Sequence, residues 1–109
     1  LKKSASYTTQ GKAIFEKIVK ANPNVFLVLC GHCRDISYKN VQLDDDGDGD
    51  PDRTVYAILS NFQGGKAGGG GYMRILDFRD SDIYIYTYSP YYDSCEYPKG
   101  KTEATVPLP

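Results

Sequence analysis

The sequence predicts an α/β chain, or α+β if the segment stands alone, with one N-terminal helix packed on about four strands. Three observations predict it. Ile14, Phe15, Ile18 and Val19 form one apolar stripe at helical spacing, with Lys12, Glu16, Lys17 and Lys20 facing outward. Val25-Phe26-Leu27-Val28-Leu29 is a continuous apolar run, the pattern of a strand buried on both faces. Near the C-terminus Ile83, Ile85 and Thr87 alternate with Tyr84, Tyr86 and Tyr88, the two-residue period of a half-buried strand.

The elements follow in order. Thr8 or Thr9 can cap a helix over 10–21, and Asn22-Pro23-Asn24 ends it because proline has no amide hydrogen to donate. The strand over 25–29 comes next. Helix followed by buried strand is half of an α/β unit and calls for a sheet partner. Residues 35–53 are polar and read as a loop ending in a dense acidic run. Strands are predicted over 54–62, 72–78 and 83–88. Gly68-Gly69-Gly70-Gly71 leads into the second of these, as a flexible turn or a close approach of two backbones. The short Asp80-Ser81-Asp82 link makes the last two strands an antiparallel hairpin. The tail over 93–109, rich in Pro, Lys and Gly, is expected to be loosely held.

Composition narrows the function classes. The 109 residues suffice for one small domain and not for two. Thirteen basic residues against fourteen acidic ones, a formal charge of −1, give no electrostatic surface for nucleic acid or anionic lipid. No apolar run is long enough to span a bilayer. Cys30, Cys33 and Cys95 are an odd number, which argues against a fully paired disulfide framework.

Three motifs bear on chemistry. Cys30-Gly31-His32-Cys33, just after an apolar strand, has the form of a dithiol redox site. Such a site needs its first cysteine at a helix N-terminus, and residues 34–40 show no helical period. Zinc would need further ligands, and Cys95 with His32 makes a contrived second pair. Two small residues at a strand end are the plain structural reading.

His32, the single histidine, ends a predicted buried strand, where α/β enzymes build their sites. The stretch from Asn24 to Leu29 followed by Cys30-Gly31-His32 resembles the strand and Gly-His motif of calcineurin-like metallophosphoesterases. The lead-in Thr9-Gln10-Gly11 agrees, as do Ile58-Leu59-Ser60-Asn61-Phe62-Gln63, the stretch from Gly69 to Phe78, and Tyr86-Thr87-Tyr88-Ser89-Pro90. These look like the closing strands of one bacterial branch, and the resemblance covers roughly residues 8–92. It implies the C-terminal part of a β-sandwich with flanking helices, in an enzyme that hydrolyses phosphate mono- or diesters at two divalent metals of the Mn, Zn or Fe class. It implies that His32 ligates one metal. Arg34 stands where the family's second histidine belongs; a guanidinium cannot ligate a divalent ion but can contact a phosphate oxygen. The family's remaining ligands lie in motifs N-terminal to this region. The resemblance therefore implies that the remainder of the domain precedes Leu1, and that the segment alone is inactive.

The third motif, Asp44-x-Asp46-x-Asp48-Gly49-x-x-Asp52, fits the first nine positions of a calcium loop, with Asp44, Asp46 and Asp48 at positions 1, 3 and 5, Gly49 at position 6 and Asp52 at position 9. Asp50 occupies position 7, where the backbone carbonyl serves. Position 12 is Val55, so the usual bidentate glutamate is missing. Six aspartates in nine residues repel one another unless a cation neutralises them; a solvated acidic loop is the plain alternative. A weak calcium site would suit an extracellular or cell-surface protein. This leaves a rival to the enzyme: a non-catalytic, calcium-stabilised β-rich module in which His32 is idle. Ten tyrosines, three alternating on one strand, point to a packing face or to a platform that stacks sugars or bases.

Overall fold

A computed structural model of the chain describes residues 9–109. The architecture is α+β: one short helix and two three-stranded sheets. Thr8 lies outside the described residues, so the predicted cap at that position is outside them too.

Helix α1 spans Thr9–Ile14 and continues into a π-helical turn, Phe15–Val19, closed by the Lys20 amide donating to the Phe15 carbonyl at 2.9 Å. The wider turn redirects the apolar stripe. Phe15 and Val19 are buried, while Ile14 and Ile18 stay more than half exposed. Asn22 ends the segment as the sequence predicts, its Nδ2 donating to the Ile18 carbonyl at 2.6 Å.

The first sheet has the order β1-β3-β2, from β1 (Leu27–Cys30), β2 (Ile36–Leu43) and β3 (Arg53–Ser60). Two expectations are corrected here. Strand β1 is an edge strand and is not buried on both faces; Leu29 is 57% exposed. Its apolar run specifies burial but not what covers it. Residues 36–43, read as loop, form β2. Their Ile36, Tyr38, Val41 and Leu43 are β-formers whose polar interruptions hide any strict alternation.

The second sheet has the order β4-β5-β6, from β4 (Met73–Phe78), β5 (Asp82–Tyr88) and β6 (Ala104–Pro107). Strands β4 and β5 are antiparallel, pairing Met73 with Tyr88 and Phe78 with Ile83, the predicted hairpin. Ile83, Ile85 and Thr87 are almost wholly buried, and the tyrosines between them are partly exposed, as the alternation requires. The tail is corrected: it returns as β6, antiparallel to β5, with Ile83 opposite Val106. Val106 is fully buried, which outweighs the flexible composition around it. Pro107 is tolerated because β6 lies at the sheet edge.

The chain divides into two compact units, residues 9–28 with Ser37–Ile58, and Leu29–Ile36 with Leu59–Pro109. The first has a core of Phe15, Val19, Leu43 and Val55, with Val25, Val28 and Val41 packed against it. The second is built around Ile83, Ile85 and Val106. Among the described residues no helix is long and apolar enough to cross a membrane.

Candidate functional site

In the second unit, β1 runs out into a tight turn at Gly31–Arg34. The Cys33 amide donates to the Gly31 carbonyl and the Asp35 amide to the Cys33 carbonyl, each at 2.8 Å. These two-residue bonds curl the chain sharply. His32 takes a left-handed backbone, φ 67°, which non-glycine residues seldom adopt. Asn61, just past β3, straps the turn from outside. Its Nδ2 donates to the His32 carbonyl at 2.8 Å, and its amide donates to the Asp35 carbonyl at 2.9 Å. The His32 imidazole is left exposed, on the wall of a cavity of about 410 Å³ shared with Asn61, Phe62, Tyr72 and Arg74. The Arg34 side chain is exposed, and its stem lies along the backbone of Gly64, where an added Cβ would sit 3.5 Å from the Arg34 Cβ.

Arg74 is the cation this cavity holds most firmly. Its Nε donates to Ser60 Oγ at 3.2 Å, and its NH1 to Thr87 Oγ1 at 3.0 Å and the Thr102 carbonyl at 2.6 Å. Burial pulls its pKa down from the ordinary guanidinium value. Sequence reading missed both Arg74 and Asn61. An arginine in a strand and an asparagine after one carry no signature until the strands are placed.

The geometry does not favour dithiol chemistry. The three cysteines are exposed and carry no disulfide. Cys33 is followed by strand β2 rather than by a helix. Burial pushes the Cys30 thiol up and Cys33 adds to the shift, the reverse of an activated thiolate.

In the first unit, the acidic loop joins β2 to β3. Its aspartates take distinct tasks. Asp44 accepts the Gly47 amide on Oδ1 at 2.6 Å and the Gly49 amide on Oδ2 at 2.9 Å. These amides hold its carboxyl below the ordinary carboxylate value. Asp46 accepts the Asp48 amide, and Asp48 accepts the Asp50 amide. Asp52 turns inward to the amides of Asp45 and Asp46, at 2.7 and 3.3 Å. Asp45 is drawn aside by Arg53, whose guanidinium meets both its oxygens and also donates to the carbonyls of Val19, Lys20 and Val25.

Of the five aspartates predicted as ligands, the structure brings three together. Asp44, Asp46 and Asp48 each offer an oxygen within 4.8 Å of the others. The carboxylates of Asp50 and Asp52 do not join them. Arg53, which the sequence reading passed over, pairs with Asp45 and ties the loop to the end of the helical segment. Three convergent carboxylates suit one hard cation with an oxygen-ligand preference. His32 belongs to no group of three ligating side chains among the described residues.

No family model matches the chain, and no solved structure matches it. A protein of Bacillus subtilis strain 168, named Uncharacterized protein YvnB, is similar to it. The two are 51% identical over 83 residues, which cover 74% of this chain. The chain spans about 6% of the length of that curated relative.

Proposed function

We propose that this chain is the closing segment of a longer, secreted or cell-surface, metal-dependent phosphoesterase that hydrolyses phosphate mono- or diesters, and that its acidic loop takes a calcium ion. The observation that carries the catalytic reading is the His32 turn. An exposed imidazole is presented at a strand end on a constrained backbone, strapped by Asn61, beside an open cavity. Strain held in place by its surroundings is a frequent property of functional residues. The resemblance of the Gly31-His32 strand and of the later strands to calcineurin-like metallophosphoesterases supports the same reading, and a relative in which similar sequence is a small part of a long chain supports only the part of it that makes this chain a segment of a longer protein.

In this reading His32 ligates one of two divalent ions and Arg34 contacts a phosphate oxygen. The remaining ligands come from residues N-terminal to Leu1. When bound, such a pair of ions lowers the pKa of an attacking water and clamps the oxygens of an in-line displacement. Asp44, Asp46 and Asp48 hold the calcium, which staples the β2–β3 connection.

The test begins with the coding sequence upstream of Leu1, expected to encode Asp-x-His, Gly-Asp-x-x-Asp and Gly-Asn-His in that order. The parent protein is then assayed with manganese on bis(p-nitrophenyl) phosphate and p-nitrophenyl phosphate. His32→Ala is expected to lower kcat by about 100-fold or more. Arg34→Ala is expected to raise KM more than it lowers kcat. A parent protein without those motifs, or a His32→Ala variant with full activity, overturns the catalytic reading. A calcium-dependent rise in melting temperature in a parent that hydrolyses neither ester would leave the non-catalytic calcium module standing.

A further inference from the structure

A second cavity opens beside the His32 cavity and shares Phe62, Gly69 and Tyr72 with it. Its volume is about 670 Å³, within the range of small-molecule sites. Phe62, Tyr72, Tyr92 and Tyr97 give it aromatic walls, and Lys66, Lys99 and Glu96 line it too. The rings are held in place by each other. Tyr97 meets Tyr72 edge to face, with centroids 5.0 Å apart at 88°, and meets Phe62 at 5.4 Å and 74°. The Tyr72 hydroxyl donates to the Glu96 carbonyl at 2.9 Å. The glycines make room for this arrangement. A Cβ on Gly70 would lie 2.7 Å from the Tyr92 ring, and one on Gly69 would lie 2.5 Å from the Phe62 carbonyl oxygen.

We infer that this cavity binds a flat aromatic ring carried on a phosphate ester, with the phosphate toward His32 and the ring against Tyr72, Tyr92 and Tyr97. Aromatic faces stack on planar rings, and the Arg74 guanidinium on the wall of the His32 cavity favours the anionic end there. The two cavities lie side by side across Phe62, Gly69 and Tyr72, so the proposed ester would set its phosphate on one side of these residues and its ring on the other. The inference takes the phosphate end from the phosphoesterase reading and the ring end from the cavity itself.

The experiment titrates the metal-free chain with phenyl phosphate and with methyl phosphate, following backbone amides by NMR and tyrosine fluorescence, which no tryptophan obscures. Phenyl phosphate is expected to bind about tenfold more tightly, the worth of one stacked ring, and to shift the amides of Gly69, Gly70, Tyr72 and Tyr97. Tyr92→Ala, at a half-exposed position, is expected to abolish most of that preference while leaving the melting temperature unchanged. Equal affinity for the two esters, no binding of either, or shifts confined to the Tyr84 and Tyr86 face would overturn the inference. A ring preference in the chain together with a parent protein that hydrolyses nothing removes the phosphoesterase reading and keeps the cavity. Manganese-dependent hydrolysis with equal affinities does the opposite.

Discussion

Residues 82–88 and residues 44–52 are both strongly patterned, one by alternating apolar residues and the other by aspartates, and the structure holds them by opposite means. Strand β5 is fixed by burial. Ile83, Ile85 and Thr87 lose nearly all their exposure, and β4 and β6 pair along its two sides. The acidic loop buries none of its residues and is fixed by carboxylates accepting amides, with Arg53 as its anchor. Burial needs no outside agent. A loop of converging carboxylates carries a charge repulsion that a bound cation would relieve, so under the calcium proposal its stability depends on solution composition.

The sharpest way to break this contrast is to remove apolar volume at a buried strand position and at an exposed one. Ile85→Ala is expected to cost about 2–5 kcal/mol, since a fully buried side chain leaves a cavity behind. Leu29→Ala, on the exposed end of β1, is expected to change stability by no more than about 0.5 kcal/mol. Urea denaturation of the two variants measures both; equal losses would mean that β1 is covered.

Next in size is Arg74→Ala. It leaves the Thr102 carbonyl without this donor and loosens the link between β4 and the segment leading into β6, at about 1–3 kcal/mol. Hydrogen exchange is expected to accelerate at Ala104–Pro107 first, and exchange unchanged there would show that β6 is held by Val106 alone.

Calcium comes third. A site of roughly 10⁻⁴–10⁻³ M affinity, filled at 1 mM, adds only about 0.4–1.4 kcal/mol. Differential scanning calorimetry is expected to show a melting temperature that rises with calcium in the native chain and not in Asp46→Asn. The same rise in both would mean that the ion binds elsewhere.

The smallest effect is that of pH on the loop without calcium. Asp44 has its folded pKa lowered by the Gly47 and Gly49 amides, so its contribution is present above the ordinary carboxylate value of 3.8 and is lost as pH falls through the folded value. The difference in melting temperature between the native chain and Asp44→Asn is expected to be constant near neutrality and to shrink in acid below that value. A gap that widens in acid would contradict the bond pattern.

Much of β5 and the acidic loop was legible because both depend on neighbours in sequence. Strand alternation declares its own buried face, and the Asp-Gly spacing declares which carboxylates can converge. The loop's anchoring was not legible, because Arg53 reaches carbonyls at Val19 and Val25 that lie far from it in sequence. The tail was misread for a similar reason. Its composition is flexible, yet Thr102 bonds Thr87 at 2.7 Å and Val106 fills a place opposite Ile83.

Ser89 shows the limit of local reading. It is fully buried, donates to the Gly70 carbonyl and accepts the Tyr92 amide, and so closes the turn that Ser94 completes. A serine before a proline suggests a turn in sequence; nothing nearby says that a glycine nineteen residues away will accept its hydroxyl. By itself the sequence determined the mixed fold class, the β4–β5 hairpin, the acidic loop and the position of His32 at a strand end, because period-two burial and short-range hydrogen bonding act within a few residues. Only the tertiary structure decided that β1 lies at an edge, that the tail becomes β6, that Asn61 straps the His32 turn and that four aromatic rings wall a cavity. Those outcomes depend on which distant backbone groups and apolar faces satisfy one another.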